Sequence, residues 1–271
     1  MRADLHIHTT ASDGTWTPKE LVDEALKAGL GAIAVTDHDS VANVKETGRL
    51  AVAAGLSFLP AAEICSTKEE LSFHILGYGI DVENRALCEL MAHNEALLAQ
   101  KDIDSIALLA RDGWDVSLKE FAAYDYDRRR GGWRALAYLE DKGLCTGVND
   151  FFKRIFTPEH DLGFPTFPTI AEVIAAIHGA GGVAICAHAA SGFHGPGLDK
   201  VLHMLEEEHL DGFECYHSGH SEESTKALVD YCHMRGLMIS GGSDCHGSFV
   251  PGRLLGVPYV DTDRLYLPGL L

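Results

Sequence analysis

The chain has 271 residues, 46% of them hydrophobic, and a formal net charge of −18 at pH 7. This length suffices for one large domain or two ordinary ones with a sizeable core, and no apolar run is long enough for a membrane-spanning helix. The negative charge opposes binding of a long nucleic acid backbone and leaves small anionic substrates open.

Seven cysteines are scattered along the sequence without a C-x-x-C pair. An odd number without such spacing argues against a disulfide scaffold or a zinc ribbon and favours reduced thiols. The sequence also shows no secretory signal. We therefore expect a cytoplasmic protein that does not associate with membranes.

The first predicted strand, within residues 1–13, alternates apolar and imidazole side chains. Leu5 and Ile7 point to one face, and His6 and His8 share the other. Two histidines alone are more often a solvated pair than a metal site. The strand therefore becomes informative only if other ligands converge on it.

Residues 14–82 continue as alternating helices and strands. A capping box at Thr17–Glu20 predicts a first helix, and Ser40 is expected to cap a second. Predicted strands cover Ala32–Thr36, Leu56–Ala62 and Phe73–Tyr78. Such alternation predicts a parallel sheet with helices outside it.

Residues 83–168 interrupt this rhythm with helical segments and a Phe- and Pro-rich stretch. We interpret them as a helical insertion that caps a barrel formed by residues 1–82 and 169–271. The insertion also holds the densest positive charge of the chain, at Arg128–Arg130, Arg134, Lys153 and Arg154. For any single arginine, a solvated helix edge is the more common explanation.

The last third of the chain returns to strands and helices. Predicted strands cover Val183–Ala187, Gly212–Tyr216 and Leu237–Gly241, a helix covers Ser221–Arg235, and a short edge strand follows Val257. A capping box at Thr169–Glu172 starts another helix. The whole chain therefore predicts an α/β fold with seven barrel strands.

Nine metal-capable side chains lie at or just beyond the carboxyl ends of these predicted strands. They are His6, His8, Asp13, His38, Glu63, His74, His188, Asp244 and His246. In barrels, this edge of the sheet carries the active site. Burying so many ionisable groups together without cations would be strongly unfavourable, so we expect a metal centre there.

Six short stretches around these residues resemble the successive motifs of the polymerase and histidinol phosphatase (PHP) family. They are Asp4–Thr9, Thr36–Asp39, Ala62–Glu63, His74–Tyr78, Gly182–His188 and Gly242–His246. The resemblance implies a distorted (β/α)7 TIM-like barrel that binds two or three divalent ions, usually Mn, Fe or Zn, and hydrolyses phosphate esters. Ala189 stands where members often have proline, and residues 132–134 stand where a Gly-Arg-Pro-His run is common, which leaves the substrate open.

Carried over by position, the resemblance assigns the nine residues to three cations. The first would be held by His6, His8, Glu63 and Asp244, the second by Glu63, His74 and His188, and the third by Asp13, His38 and His246. Mixed imidazole and carboxylate donors suit Mn²⁺, Fe²⁺ or Zn²⁺ better than Ca²⁺ or Mg²⁺. Asp37 and Glu214 are candidates for orienting these ligands from outside.

The expected nucleophile is a hydroxide that bridges two cations, with Asp244 among the catalytic residues. His194 is the first candidate for protonating the leaving alcohol or binding phosphate, and His217 is the second. Further candidate phosphate ligands are Arg130, Arg134 and Arg253. Arg134 is preferred because a planar guanidinium suits phosphate and an apolar helical run follows it.

Three functions are compatible with this pattern. The first is hydrolysis of small phosphorylated metabolites or nucleotides, which the acidic composition and the full ligand set favour. The second is cyclic phosphodiester hydrolysis, or 5′-3′ exonuclease activity on short RNA or DNA, with the same metals. The third, a non-catalytic metal-binding module, is disfavoured by the unbroken ligand set. The sequence does not specify the oligomeric state.

Overall fold

Backbone hydrogen bonds join the strands into one sheet that nearly closes into a barrel. The computed structural model describes residues 1–157, 160, 162–191 and 197–271. The strands are β1 (Arg2–Asp4), β2 (Ala32–Val35), β3 (Ser57–Lys68), β4 (Leu71–Tyr78), β5 (Val183–Cys186), β6 (Gly212–His217), β7 (Met238–Gly242) and β8 (Val260–Asp261). Their order across the sheet is β7-β6-β5-β4-β3-β2-β1-β8. The Leu5 N–H donates to the Gly241 carbonyl at 3.2 Å, which brings the chain after β1 against β7. The predicted seven barrel strands and the short edge strand are thus confirmed.

The strand directions correct one expectation. β4 runs antiparallel to both β3 and β5, whereas the sequence pattern predicted parallel strands throughout. The reason is the two-residue connection Glu69–Glu70, in which both residues have positive φ, 49° and 67°. A turn this short joins only antiparallel strands, since a parallel pair needs a long crossover.

Helices surround the sheet and fill the insertion. They are α1 (Pro18–Lys27), α2 (Val44–Ala53), α3 (Arg85–Arg111), α4 (Leu118–Ala123), α5 (Arg134–Asp141), α6 (Val148–Asp150), α7 (Ile170–Gly179), α8 (Leu198–Leu205) and α9 (Glu222–Arg235). The capping boxes predicted at Thr17 and Thr169 start α1 and α7. The second helix begins at Val44, later than a cap at Ser40 would place it.

Alternate residues of the strands pack into different apolar clusters. In β2, Ala32 and Ala34 belong to a cluster that also contains Leu5, whereas Ile33 and Val35 pack with residues of α1 and α2. Successive side chains of a strand point to opposite faces, so both faces of this sheet are buried. The smaller side chains on the first of these faces fit the interior of a narrow barrel.

The insertion has an apolar cluster of its own. Its buried members are Ile106, Leu109, Val116, Phe121, Ala135, Leu136, Tyr138, Leu139, Cys145, Phe151 and Ile155, and Phe249 from the barrel packs against them. Leu87 and Met91, near the start of α3, pack instead with barrel residues. The division near residues 83 and 168 stays a prediction. The described helices include none that is both long and apolar enough to cross a membrane. All seven cysteines are free thiols.

Asp102 on α3 makes the stability of the insertion depend on pH. Its Oδ2 accepts a hydrogen bond from the Ala135 N–H at 3.1 Å, and burial raises the pKa of Asp102 from 3.8 to about 7. Between about pH 4 and 7, Asp102 therefore keeps its proton in the folded chain and has lost it in the unfolded chain. The folded state loses stability as the pH rises through that window. We expect Asp102→Asn to increase the free energy of unfolding by roughly 1–3 kcal/mol at pH 8 and to change it little at pH 4. The increase is limited to this size because the carboxyl group is only partly buried.

Urea unfolding at both pH values measures this effect. Asp104→Asn, an exposed position on the same helix, is the matched control and should show the wild-type pH profile. A constant difference between Asp102→Asn and the wild type from pH 4 to 8 would contradict the assignment.

Candidate metal centre

Glu63, within β3, lies at the centre of a cluster of imidazole rings. Its side chain is fully buried. Five ring nitrogens lie 3.0–3.2 Å from its two carboxylate oxygens: those of His6, His8 and His38 at Oε2, and those of His74 and His188 at Oε1. A single carboxylate therefore joins side chains from both halves of the barrel sequence.

The strands position these rings in two ways. His6 and His8 flank Ile7, which bridges in parallel to Cys245, and His38 follows β2. Glu63 and His74, however, lie within strands and not at carboxyl ends as predicted. β3 is twelve residues long, and the antiparallel direction of β4 places His74 opposite Cys65, near Glu63.

Asp244 supplies a second carboxylate to the cluster. Its Oδ1 lies 3.1 Å from His8 Nε2 and 3.5 Å from His6 Nε2. Its Oδ2 lies 3.2 Å from His217 Nε2 and forms an ion pair with Arg253. Asp244 thus connects the imidazole cluster to the two predicted site residues that lie beside it.

Asp13 supplies a third carboxylate on the other side of His8. Its Oδ2 lies 3.2 Å from His246 Nε2 and 4.0 Å from His38 Nε2, and its Oδ1 lies 3.5 Å from His8 Nδ1. The nine side chains thus fall into three groups whose possible ligand atoms all lie within 4.8 Å of one another. The first group contains His6, His8, Glu63 and Asp244, the second Glu63, His74 and His188, and the third His8, Asp13, His38 and His246. Apart from the added His8, these are the sets that the resemblance implied.

A further group was missed by the sequence reasoning. His38, Cys65 and His74 also offer ligand atoms within 4.8 Å of one another. Cys65 lies two residues after Glu63 and therefore on the same face of β3. That spacing was the available signal, but the sequence analysis considered the cysteines only as reduced thiols.

The donor atoms fit divalent cations. Buried atoms without a hydrogen-bond partner include Nε2 of His6, Nε2 of His8, Nδ1 of His38 and Oε2 of Glu63, and the three nitrogens all face that oxygen. Buried polar atoms are normally paired, and leaving them unpaired is costly. A cation accepts lone pairs from nitrogen and oxygen alike, so it would satisfy this convergence.

The charges of these groups also suit cation binding. Burial raises the pKa of Glu63, but the neighbouring His38, His6 and His74 outweigh this effect and hold that pKa well below 4.5. Burial lowers the pKa of His38 and of His188 to about 3, so both rings are neutral and have a lone pair to donate. The carboxylates of Asp244 and Glu63 overcome burial at His8 and raise its pKa to about 10. A proton on His8 is positive charge that a cation would replace.

Glu214 on β6 holds the His6 ring and the His188 backbone from outside the cluster. Its Oε1 lies 2.9 Å from His6 Nδ1, and its Oε2 accepts the His188 backbone N–H at 2.8 Å. The first contact places the proton of His6 on Nδ1 and leaves Nε2 to face Glu63. Asp37 acts on the adjacent loop, where it accepts hydrogen bonds from the Thr9 N–H and the Ser12 hydroxyl at 2.7 and 2.6 Å.

We expect Glu214→Gln to weaken binding of one divalent ion by about 10–100-fold, because the His6 ring loses its charged partner. Titration of the metal-depleted protein with Mn²⁺ measures the change. Glu223→Gln, on the exposed surface of α9, is the control and should bind like the wild type. Equal affinities in all three proteins would remove Glu214 from the metal centre.

Arg134, the preferred phosphate ligand, makes its polar contacts inside the insertion. Its guanidinium donates to the carbonyl groups of Phe121, Ala122 and Tyr124 at 2.8–3.1 Å and lies over the Phe121 ring. The last carbonyls of a helix lack partners within it, and here Arg134 satisfies those of α4. Arg130 likewise pairs with Asp141 at 2.8 Å. As phosphate ligands, both arginines stay a prediction.

Two other predicted site residues lie beside the imidazole cluster. Arg253 and His217 both contact Asp244. His217 Nδ1 accepts the Gly219 N–H at 2.9 Å, so the ring proton is on Nε2 and faces Asp244. His194 lies outside the described residues. Arg128, the first residue of the basic run in the insertion, donates to the Ala11 carbonyl at 3.1 Å, beside the Asp13 loop.

Comparison with known proteins gives a consistent result. The PHP domain model matches residues 4–155. The chain is 29% identical to the 5′-3′ exoribonuclease Rnm of Escherichia coli strain K12, over 90% of this chain and 84% of that protein. It is 28% identical to a 3′,5′-nucleoside bisphosphate phosphatase of Chromobacterium violaceum, over 93% of this chain and 90% of the relative.

The fold agrees with a solved structure as well. A protein of Bifidobacterium adolescentis assigned as a metal-dependent phosphoesterase superposes with a TM-score of 0.82 at 30% identity, covering 97% of this chain and 93% of the other. Together with the cluster around Glu63, these similarities show a hydrolase of phosphoric ester bonds that depends on metal ions. The chain belongs to the PHP family.

Proposed function

We propose that this enzyme removes phosphate from small phosphorylated metabolites, nucleotides above all, at a centre of two or three Mn, Fe or Zn ions. The observation that carries the proposal is the convergence of five imidazoles on Glu63, with Asp244 and Asp13 on either side. The ligands would be the three groups described above. When bound, the ions lower the pKa of water and offset charge on the phosphoryl oxygens.

Residues beside Asp244 supply the remaining functions. Arg253 is part-exposed and ion-paired with Asp244, so its guanidinium is placed to bind a phosphate that enters the cluster. His217 Nε2 lies 3.2 Å from Asp244 Oδ2, close enough to the cluster for this ring to be a candidate proton donor to a leaving alcohol. His194 stays an alternative donor.

Aromatic residues near the cluster favour a substrate that carries a ring. The Phe249 ring centroid is 6.4 Å from that of His246 and 6.4 Å from that of Trp133. From Trp133 the aromatic series continues to Phe152, which is 40% exposed. Nucleobases stack on such side chains, with about 1–3 kcal/mol per base.

Short RNA is the second candidate substrate. The Escherichia coli relative is named a 5′-3′ exoribonuclease, and the same aromatic series would suit successive bases. The net charge of −18 disfavours a long strand, because phosphate backbones are bound mainly by cationic side chains.

The free thiols support a cytoplasmic location.

A substrate panel tests the proposal. The metal-reconstituted enzyme should release phosphate from nucleoside bisphosphates or monophosphates faster than from cyclic phosphates or a 5′-phosphorylated oligoribonucleotide. Shortening of the oligoribonucleotide at a higher kcat/KM than any small ester would favour the exonuclease. Absence of hydrolysis across the whole panel would contradict the proposal.

We expect Arg253→Ala to lower kcat/KM by about 10–100-fold while metal content stays intact, since a charge-assisted phosphate contact contributes roughly 1.5–3 kcal/mol. Steady-state kinetics and elemental analysis of the same preparation measure both quantities. Arg134→Ala is the matched comparison. A loss of kcat/KM confined to Arg134→Ala would place phosphate recognition in the insertion.

A further inference from the structure

Asn94 brings a buried amide from the insertion to the metal centre. It lies on α3 and is completely buried. Its Nδ2 donates to Asp39 Oδ1 at 2.7 Å and to the Cys65 carbonyl at 2.9 Å. A buried N–H donor is costly unless it is hydrogen-bonded, so the two bonds of Nδ2 hold Asn94 and its partners in place.

Both partners of Asn94 adjoin residues of the cluster. Asp39 follows His38, and its own N–H donates to the Glu63 carbonyl at 2.8 Å. Its backbone has a φ of 47°, a conformation that non-glycine residues adopt only when the surroundings fix it. The Asn94 amide holds the side chain of Asp39, which directly follows His38 in the chain.

The insertion also contacts the segments that carry Asp13 and His246. The Gly132 N–H donates to the Asp13 carbonyl at 2.8 Å. Gly131 and Gly132 both have positive φ, and a Cβ on either would lie within 2.8 Å of Phe249. Phe249 is three residues after His246, so this glycine turn packs on the chain that presents it.

The contacts made by the barrel and by the insertion differ between the ligand groups. Glu214 from the barrel holds His6 and His188. The insertion contacts the segments that carry Asp13, His38 and His246, which are the members of the third group other than His8.

We propose that Asn94 is a positioning residue of the third cation site and that the insertion sets the affinity of this site through Asn94 and the Gly131–Gly132 turn. The inference rests on the proposed metal ligands and deepens them. It makes cation occupancy at Asp13, His38 and His246 depend on the insertion, which the barrel alone would not require.

Calorimetric titration of the metal-depleted enzyme with Mn²⁺ tests this. The binding event that Asp13→Asn removes identifies the third site. Asn94→Leu, which keeps the volume and removes the donor, should weaken that event by about 10–100-fold and leave the others unchanged. Ser105→Ala, a buried position on the same helix that bonds to the Lys101 carbonyl, should match the wild type.

A second variant keeps the test decisive if Asn94→Leu does not fold. Gly132→Ala disturbs the other contact and should weaken the same event. Unchanged titrations, or equal weakening of every event, would overturn the proposal. Because the readout is binding, an enzyme that hydrolyses no substrate in the panel would refute the proposed function without affecting this result.

Discussion

Glu63→Gln should lower kcat/KM by about 10²–10⁴-fold and remove more than one equivalent of metal. The substitution keeps the size of the side chain but removes the charge that five imidazoles face at 3.0–3.2 Å. Breaking a buried, charged contact costs roughly 3–5 kcal/mol, and each 1.36 kcal/mol is a factor of ten. Elemental analysis and phosphate release, measured on one preparation, give the two values.

The control for this prediction lies on the same hairpin. Glu70→Gln changes an exposed glutamate in the turn between β3 and β4 and should leave both quantities unchanged. Because Glu63 is shared by the first and second groups, the Glu63→Gln variant should lose more than one equivalent of metal. Full metal content with normal turnover would show that Glu63 does not join the two groups.

Asp244→Asn should be nearly as damaging, with kcat/KM reduced by about 10²–10³-fold and one equivalent of metal lost. Asp244 belongs only to the first group, so the second and third groups keep their ligands. Its carboxylate also faces His217 and Arg253, so its loss disturbs the proposed proton donor and phosphate ligand together.

Asp263→Asn, an exposed position near the end of the chain, is the control for Asp244→Asn. The number of metal equivalents lost distinguishes the Asp244→Asn variant from the Glu63→Gln variant. If Asp244→Asn and Glu63→Gln lost the same number of equivalents, the division into three groups would be wrong.

The convergence of these histidines could be predicted from the sequence because it depends on local rules. Alternation in a strand places His6 and His8 on one face, and strand ends deliver His38 and His188 to one edge. The capping box at Thr17 is equally local, since its hydrogen bonds join residues three apart. In these cases the pattern in a few neighbouring residues is sufficient.

The direction of β4 could not be predicted because its turn gives little signal. Two-residue hairpins usually contain asparagine or glycine, which adopt positive φ readily, and here both residues are glutamates. The pattern of helices and strands before the turn therefore suggested another parallel strand. The antiparallel pairing is what brings His74 opposite Cys65, so the error in direction also concealed the His38, Cys65 and His74 group.

Contacts between distant segments were the other limit. Arg134 is attractive as a phosphate ligand in the sequence, but its partners are carbonyl groups ten to thirteen residues away at the end of α4. Asn94 carries no signal at all, because its partners Asp39 and Cys65 lie 55 and 29 residues away. Such roles depend on how the insertion packs on the barrel, which residue spacing does not specify.

The number of divalent ions bound per chain tests the central claim most directly. Elemental analysis of the wild-type protein, reconstituted with Mn²⁺, Fe²⁺ or Zn²⁺ and freed of excess metal, should give two to three equivalents. This result is expected because one cluster offers three groups of ligands. Glu63 belongs to the first and second groups, and His8 belongs to the first and third. Fewer than one equivalent with each of the three metals would contradict the account.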